Sequence, residues 1–270
     1  MKPNLLILGG DQRNRMIMEI LKDRGFSVEY FSDMHRENTQ SILEHISQCK
    51  YQLLPITLGE QPICGISRED LLDACQAHSH LFCGTANENW TIHCRKKGIN
   101  LVQLLQNETL AAENAYYTAE GAIGLVQELS KTSLYQARCV VVGSGRIATA
   151  LCRMLRVHTP HITVLARNKK RMAELTLGQI PCLEIGQQSK AFENAEIVFN
   201  TVPENIIIPA ELCKMAKNGI YAELASAPYG CHWESIPGSI RKVLGSGLPG
   251  KRFPFSAAKS MANAMAPYLK

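Results

Sequence analysis

The stretch Cys139-Val140-Val141-Val142-Gly143-Ser144-Gly145-Arg146-Ile147-Ala148 is the most informative in the chain. An apolar strand runs into G-x-G-x-x-A, and the residues that follow continue as an amphipathic helix. Each small residue has a steric task. Gly143 permits a tight turn, Gly145 leaves the backbone open to a close-lying diphosphate, and Ala148 lets the helix settle near the strand. The start of that helix adds N–H groups and a partial positive charge that suit phosphate. A glycine-rich turn alone is a weak signal. It gains weight here because strand and helix both stand where the fingerprint needs them. The reading is a dinucleotide-binding α/β domain, with Gly143, Ser144, Gly145, Arg146 and Ile147 at its phosphate turn.

Moving downstream, the next strand, Ile162–Ala166, ends in Arg167-Asn168-Lys169-Lys170-Arg171. NAD sites usually place Asp or Glu about 20 residues after the turn to bond the ribose 2′-OH. No acid stands here, whereas a guanidinium can hold a 2′-phosphate through two parallel bonds. NADP(H) is therefore favoured and NAD(H) left open, with Arg167, Asn168 and Lys169 as expected contacts. The same cations also read as a solvated helix face. Later strands end in Asn200-Thr201-Val202-Pro203, in Ala225 to Gly230 and in Leu248-Pro249-Gly250-Lys251. Ligands of doubly wound sheets sit beyond the carboxyl ends of the strands. Thr201, Val202, Pro203 and Ala225 are accordingly expected at the cofactor, although ordinary loop chemistry explains the same residues.

Upstream, short β-rich runs alternate with helical stretches from the beginning of the chain. Asn4–Leu8, Phe26–Phe31, Tyr51–Ile56, His80–Gly84 and Ile99–Leu105 read as strands. Leu71–Ala77 and Glu88–Lys97 read as helices, and later Lys169–Leu175 and Pro209–Ala216. The expected class is α/β: two doubly wound parallel-sheet lobes joined by a long helix. The first lobe, residues 1–107, is flavodoxin- or Rossmann-like. The linking helix covers 108–131, an NAD(P)-binding Rossmann domain covers 132–252, and a C-terminal helix within 253–270 packs back on the first lobe. Gly9-Gly10-Asp11-Gln12-Arg13 lacks the G-x-G-x-x-G spacing, so no second dinucleotide site is expected. Asp11 reads as a helix cap.

Composition narrows the function. The chain has 270 residues, 46% hydrophobic and 20% charged, which fits a globular protein. No apolar run reaches the roughly 18 residues of a membrane helix, and the N-terminus carries no secretory signal, so a cytoplasmic location is expected. The net charge of +5 is mild. It suits a small anionic ligand better than nucleic acid, for which no recognition motif is present. The 10 cysteines are scattered without a C-x-x-C pair. They read as buried thiols rather than metal ligands or disulfides, and no metal is expected.

Five stretches resemble the family of dipicolinate synthase A chains. They are Leu8 to Arg13, Asn114-Ala115-Tyr116-Tyr117-Thr118-Ala119-Glu120-Gly121-Ala122-Ile123, Gly143 to Arg146, Ala225 to Gly230, and Pro249-Gly250-Lys251 followed by Pro254. They occur in the family's order and at similar spacing over nearly the whole chain. Tyr117 stands where relatives often have proline, and Phe253 and Ser256 where smaller residues or threonine are common. The resemblance implies an enzyme of endospore-forming bacteria, placed in the mother-cell cytoplasm. It would oxidise dihydrodipicolinate, or its hydrated precursor, to pyridine-2,6-dicarboxylate with NADP+. A flavoprotein-like second subunit, the dipicolinate synthase B chain, would be its partner, and a homo-oligomer is expected. For the dianionic substrate, Arg13, Arg146, Lys251 and Arg252 are the candidate cations. Asn114, Thr118, Ser226, Pro249 and Gly250 lie in the matching stretches and are taken as further substrate contacts. Glu120, Tyr117 and His232 are the acid/base candidates. Their plain alternatives are a surface carboxylate, a core tyrosine and a loop histidine. Two other readings stand beside this one. One is an NADP-dependent two-lobe oxidoreductase of the shikimate dehydrogenase type, although the first lobe lacks that group's Asn-x-Thr-x-Pro-x-Lys segment. The other is a non-catalytic cofactor-binding subunit.

Overall fold

The apolar runs form strands in separate parallel sheets. The computed structural model describes residues 4–32 and 38–269. The chain divides into two units, one made of Met1–Glu113 with Phe253–Lys270 and the other of Asn114–Arg252.

In the first unit the chain runs β1 (Asn4–Leu8), α1 (Gln12–Asp23), β2 (Ser27–Phe31), α2 (Thr39–Gln48), β3 (Tyr51–Leu53), β4 (Thr57–Leu58) and α3 (Arg68–Ala74). It continues through β5 (His80–Cys83), β6 (Thr85–Ala86), α4 (Glu88–Lys96), β7 (Asn100–Gln103) and the start of α5 (Glu108–Leu129). The main sheet has the order β2-β1-β3-β5-β7, the flavodoxin-like winding, while β4 and β6 pair separately. One face is covered by residues of α2, α3 and α4, including Ile42, Ile46, Leu71 and Trp90. The other face packs Leu5, Ile7 and Phe82 against Ile17 and Leu21 of α1 and against the last helix of the chain.

The second unit takes up most of α5 and then runs β8 (Cys139–Val142), α6 (Arg146–Leu155), β9 (Ile162–Ala166), α7 (Lys169–Leu177), β10 (Cys182–Glu184), α8 (Gln188–Phe192) and β11 (Ile197–Asn200). A 3-10 helix at Pro209–Lys214, β12 (Ile220–Glu223), β13 (Arg241–Leu244) and α9 (Leu248–Arg252) complete it, and α10 (Pro254–Met265) returns to the first unit. The sheet order is β10-β9-β8-β11-β12-β13, the Rossmann winding. β8 lies in its middle, and all four of its residues are buried. This is why Cys-Val-Val-Val reads as a continuous apolar run rather than an alternation. The parallel register sets Val142, Asn200, Glu223 and Leu244 in one row at the carboxyl edge.

The doubly wound class expected from the sequence holds for both sheets. Several elements differ from expectation. Leu248 to Lys251 forms a helical turn after β13 rather than a strand end, because Gly245 to Gly247 turns the chain first. Pro209–Lys214 is a 3-10 helix. Helix α2 and the short β10 and α8 were not read from the sequence. Burial pushes the thiols of Cys75, Cys83, Cys139 and Cys152 up to about 12. They stay protonated and pack as small apolar groups. Among the described residues, no helix is long and apolar enough to cross a membrane.

Candidate functional site

The turn after β8 is shaped by two glycines that act differently. Gly143 has φ +111°, and a Cβ there would lie 2.9 Å from Cγ2 of Val202 and closer still to Oγ1 of Thr201. Only glycine fits. The Thr201 hydroxyl donates to the Val142 carbonyl at 2.8 Å, and its backbone N–H donates to the same oxygen at 3.0 Å. Thr201 and Val202 therefore wall the turn from the β11 side. At Gly145 the opposite holds, since a Cβ would meet nothing within 4 Å. That open face is what a diphosphate lying on the backbone needs. Ala148 is 1% exposed and seats α6 on the sheet.

The helices differ in how their N-termini are closed. The N-termini of α1 to α5 and α7 are each closed by a side-chain oxygen, from Asp11, Asn38, Ser67, Asn87, Asn107 and Asn168. Helix α6 begins at Gly145 with no side-chain cap, as do α8 at Gln187 and α10 at Phe253, and it differs from those two in starting at the open glycine turn. Its first N–H groups are left for another acceptor at the point where the turn is open. Beside it, a cavity of about 230 Å³ is lined by Ser144, Thr149, Arg153, Arg156 and Arg171, the last paired with Glu174, which also lines it. The residues present thus fit the phosphates of a dinucleotide.

At the end of β9 the expected cations are engaged with acids. Arg167 places its fork on the Glu204 carboxylate, Nη1 to Oε2 and Nη2 to Oε1, both at 2.8 Å. Because β9 and β11 flank β8, this pair reaches across the strand that feeds the turn. Lys169 pairs with Glu184 at the end of β10. The Asn168 side chain accepts from the Arg171 N–H and caps α7, so its oxygen is already used.

The sequence reading missed Glu223 and Glu204. Glu223 is fully buried, and each of its carboxylate oxygens accepts two hydrogen bonds. Oε1 takes them from Asn200 Nδ2 (2.7 Å) and Ala225 N (3.0 Å), and Oε2 from the Tyr221 hydroxyl (2.8 Å) and Gly230 N (2.9 Å). Burial pushes this carboxyl above the ordinary range, and the four donors partly oppose that. A lone acid in the apolar run Ile220-Tyr221-Ala222-Glu223-Leu224-Ala225 was the available signal. Glu204 carried none, because an exposed loop acid has no pattern.

The remaining candidates fall in varied surroundings. Tyr117, Thr118 and Glu120 lie on α5. Glu120 is exposed, while Thr118 is buried and its hydroxyl donates to the Asn114 carbonyl one turn back. That bond spends the hydroxyl hydrogen expected at a substrate. Asn114 and Tyr117 are half-buried. His232 is exposed ahead of a 3-10 turn, and Ser226 is exposed in the loop after β12. Pro249 and Gly250 are buried within α9, whereas Lys251 is exposed. Arg252 grips Glu128 through two bonds of 2.7 and 2.8 Å. Arg146 and Pro203 are exposed, and Ile147 is half-buried. In the first unit, Arg13 donates to the Asp11 carboxylate from Nε and Nη2. Burial alone would raise the Asp11 carboxyl, but the bonds and charge of Arg13 outweigh it and hold it below its ordinary value. Among the described residues, no group of three or more His, Cys, Asp or Glu is placed to hold a metal ion.

Known proteins are similar to this domain and to the full chain. Residues 132–233 match a family model described as "Putative NAD(P)-binding". Along 98% of its length the chain is 25% identical to the dipicolinate synthase A chain of Bacillus subtilis, covering 95% of that protein. The crystal structure of the A chain of dipicolinate synthase from Bacillus subtilis superposes with a TM-score of 0.83 at 21% identity, covering 100% of this chain and 96% of that one. The corresponding dipicolinate synthase chain of Bacillus halodurans gives 0.84 at 21% identity, covering 99% and 97%. The resemblance read from the sequence therefore extends over the whole chain.

Proposed function

We propose, from that full-length likeness, that this chain is a nicotinamide-dependent oxidoreductase that aromatises dihydrodipicolinate, or its hydrated precursor, to pyridine-2,6-dicarboxylate. The observation that carries the reading is the agreement between the 25% identity over 98% of the chain and a turn at Gly143 to Ala148 open at Gly145. A bound nicotinamide supplies the hydride acceptor. The chain's residues do the rest. The uncapped start of α6 holds the diphosphate, and Thr201, Val202, Pro203 and Ala225 line the route beyond the strand ends.

The oxidation removes one hydride from a ring carbon and one proton from its neighbour, and a hydrated substrate also releases water. Glu120, Tyr117 and His232 are the proposed proton acceptors. Arg13, Arg146 and Lys251 are the proposed carboxylate partners, and Asn114, Ser226, Pro249 and Gly250 further contacts, while Thr118, whose hydroxyl hydrogen is held by the Asn114 carbonyl, is left with an acceptor oxygen only. Product aromaticity favours the reaction, so much of the protein's task is holding ring and cofactor in register. The absence of an acid on the end of β9 favours NADP+, and Arg167 is the proposed 2′-phosphate partner once Glu204 gives way. By the same likeness, the chain works in the cytoplasm of a spore-forming mother cell as a homo-oligomer with a flavoprotein-like second subunit.

The test is a coupled assay. Dihydrodipicolinate is generated in situ, and this chain is added with NADP+ or NAD+, with and without the second subunit. Reduced cofactor and pyridine product should appear in equal amounts, faster with NADP+. Cofactor binding without turnover, even in the presence of the second subunit, would refute the reading.

A further inference from the structure

We infer that Glu223 is the positioning residue for the nicotinamide half of the site, tying the loops after β11 and β12 into one frame. The inference rests on the dinucleotide reading above and adds to it a residue that contacts no ligand. The bonds carry the argument. Asn200 donates from Nδ2 to Glu223 Oε1 and to the Val202 carbonyl, and its Oδ1 accepts from the Val202 N–H. Through Asn200, then, the carboxylate fixes the backbone of the Thr201-Val202-Pro203 loop. Through the N–H groups of Ala225 and Gly230 it fixes both ends of the loop that follows β12.

Gly230 shows how closely these parts fit. A Cβ there would lie 2.7 Å from Cγ of Asn200 and 2.9 Å from Cδ1 of Ile207. A buried carboxylate whose four neighbours are all donors is a costly device to retain unless it holds something in place. Here the held parts are strand ends on the β11–β12 side of β8. In a doubly wound sheet one mononucleotide half of the ligand lies on each side of the central strand. Arg167 at the end of β9 marks the adenosine side, which leaves the Glu223 frame on the nicotinamide side.

The experiment uses the full chain and two probes, NADP+ and 2′,5′-ADP, which carries the adenosine half alone. Glu223→Gln keeps the shape but turns one acceptor oxygen into a donor, so two of the four donors face a donor. Glu223→Gln should weaken NADP+ binding about tenfold, a loss the size of one or two hydrogen bonds, with 2′,5′-ADP unchanged. Equal losses for both probes would mean a general structural role and overturn the inference, as would unaltered NADP+ affinity. Should Glu223→Gln not fold, Asn200→Ser cuts the link to the Val202 loop alone and must show the same split between probes. Silence of the unmodified protein towards both probes would instead remove the dinucleotide reading, and this inference with it.

Discussion

Residue by residue, the two turn glycines are separable. Gly145 faces open space, so Gly145→Val should leave the unfolding midpoint nearly unchanged while abolishing titration with NADP+ and NAD+ in calorimetry. Gly143→Ala meets the wall of Thr201 and Val202 at a positive φ, so it should lower the midpoint as well. Arg167 and Glu204 form a second pair of tests. Arg167→Asp should weaken NADP+ far more than NAD+. Glu204→Gln frees the fork for a 2′-phosphate and should strengthen NADP+ several-fold with NAD+ unchanged. Equal shifts for the two cofactors would break the assignment. Asp11 gives a pH signature. Its folded carboxyl is held below its ordinary value, so the unfolded chain takes up this proton first on acidification. Its contribution is complete above the ordinary carboxylate value of 3.8 and is lost as pH falls through the lowered one. The gap in urea midpoint between the unmodified protein and Asp11→Asn should therefore close below that pH.

Among the elements, α10 has the clearest energetic role. Ala258, Ala262 and Met265 are fully buried and Met261 nearly so, in the core shared with α1 and β1. Met265→Ala should cost about 2–5 kcal/mol, read as a lowered denaturant midpoint, because the cavity forms in a close-packed layer. The elements also show what a sequence reveals. β8, α6 and α5 were legible because a buried run, a glycine turn or a long periodic stretch marks each. Helix α2 went unread although Asn38 caps it and Ile42 and Ile46 repeat at helical spacing, because its polar residues resemble a loop. β10 is three residues long, too short for any period. The site was legible where backbone shape dictates the residue, as at Gly143 and Gly145. It was not where pairing in space decides, as for Glu223 with Asn200, or for Glu204 on a cation 37 positions away. Sequence spacing holds no record of such partners.

For the molecule as a whole, the second unit is continuous in the chain, from Asn114 to Arg252, while the first is assembled from two separated stretches. Deleting residues 253–270 should expose the face of the first sheet that α10 covers and abolish its cooperative unfolding. The nucleotide-binding unit should still melt as before and still titrate with NADP+. A single loss of both transitions would contradict that independence. The same discontinuity has a bearing on biosynthesis. As the ribosome moves along the message, the second unit emerges entire while the stretch before Asn114 still waits for α10. A message interrupted just after codon 252 would yield the second unit whole, joined to a first unit that lacks α10.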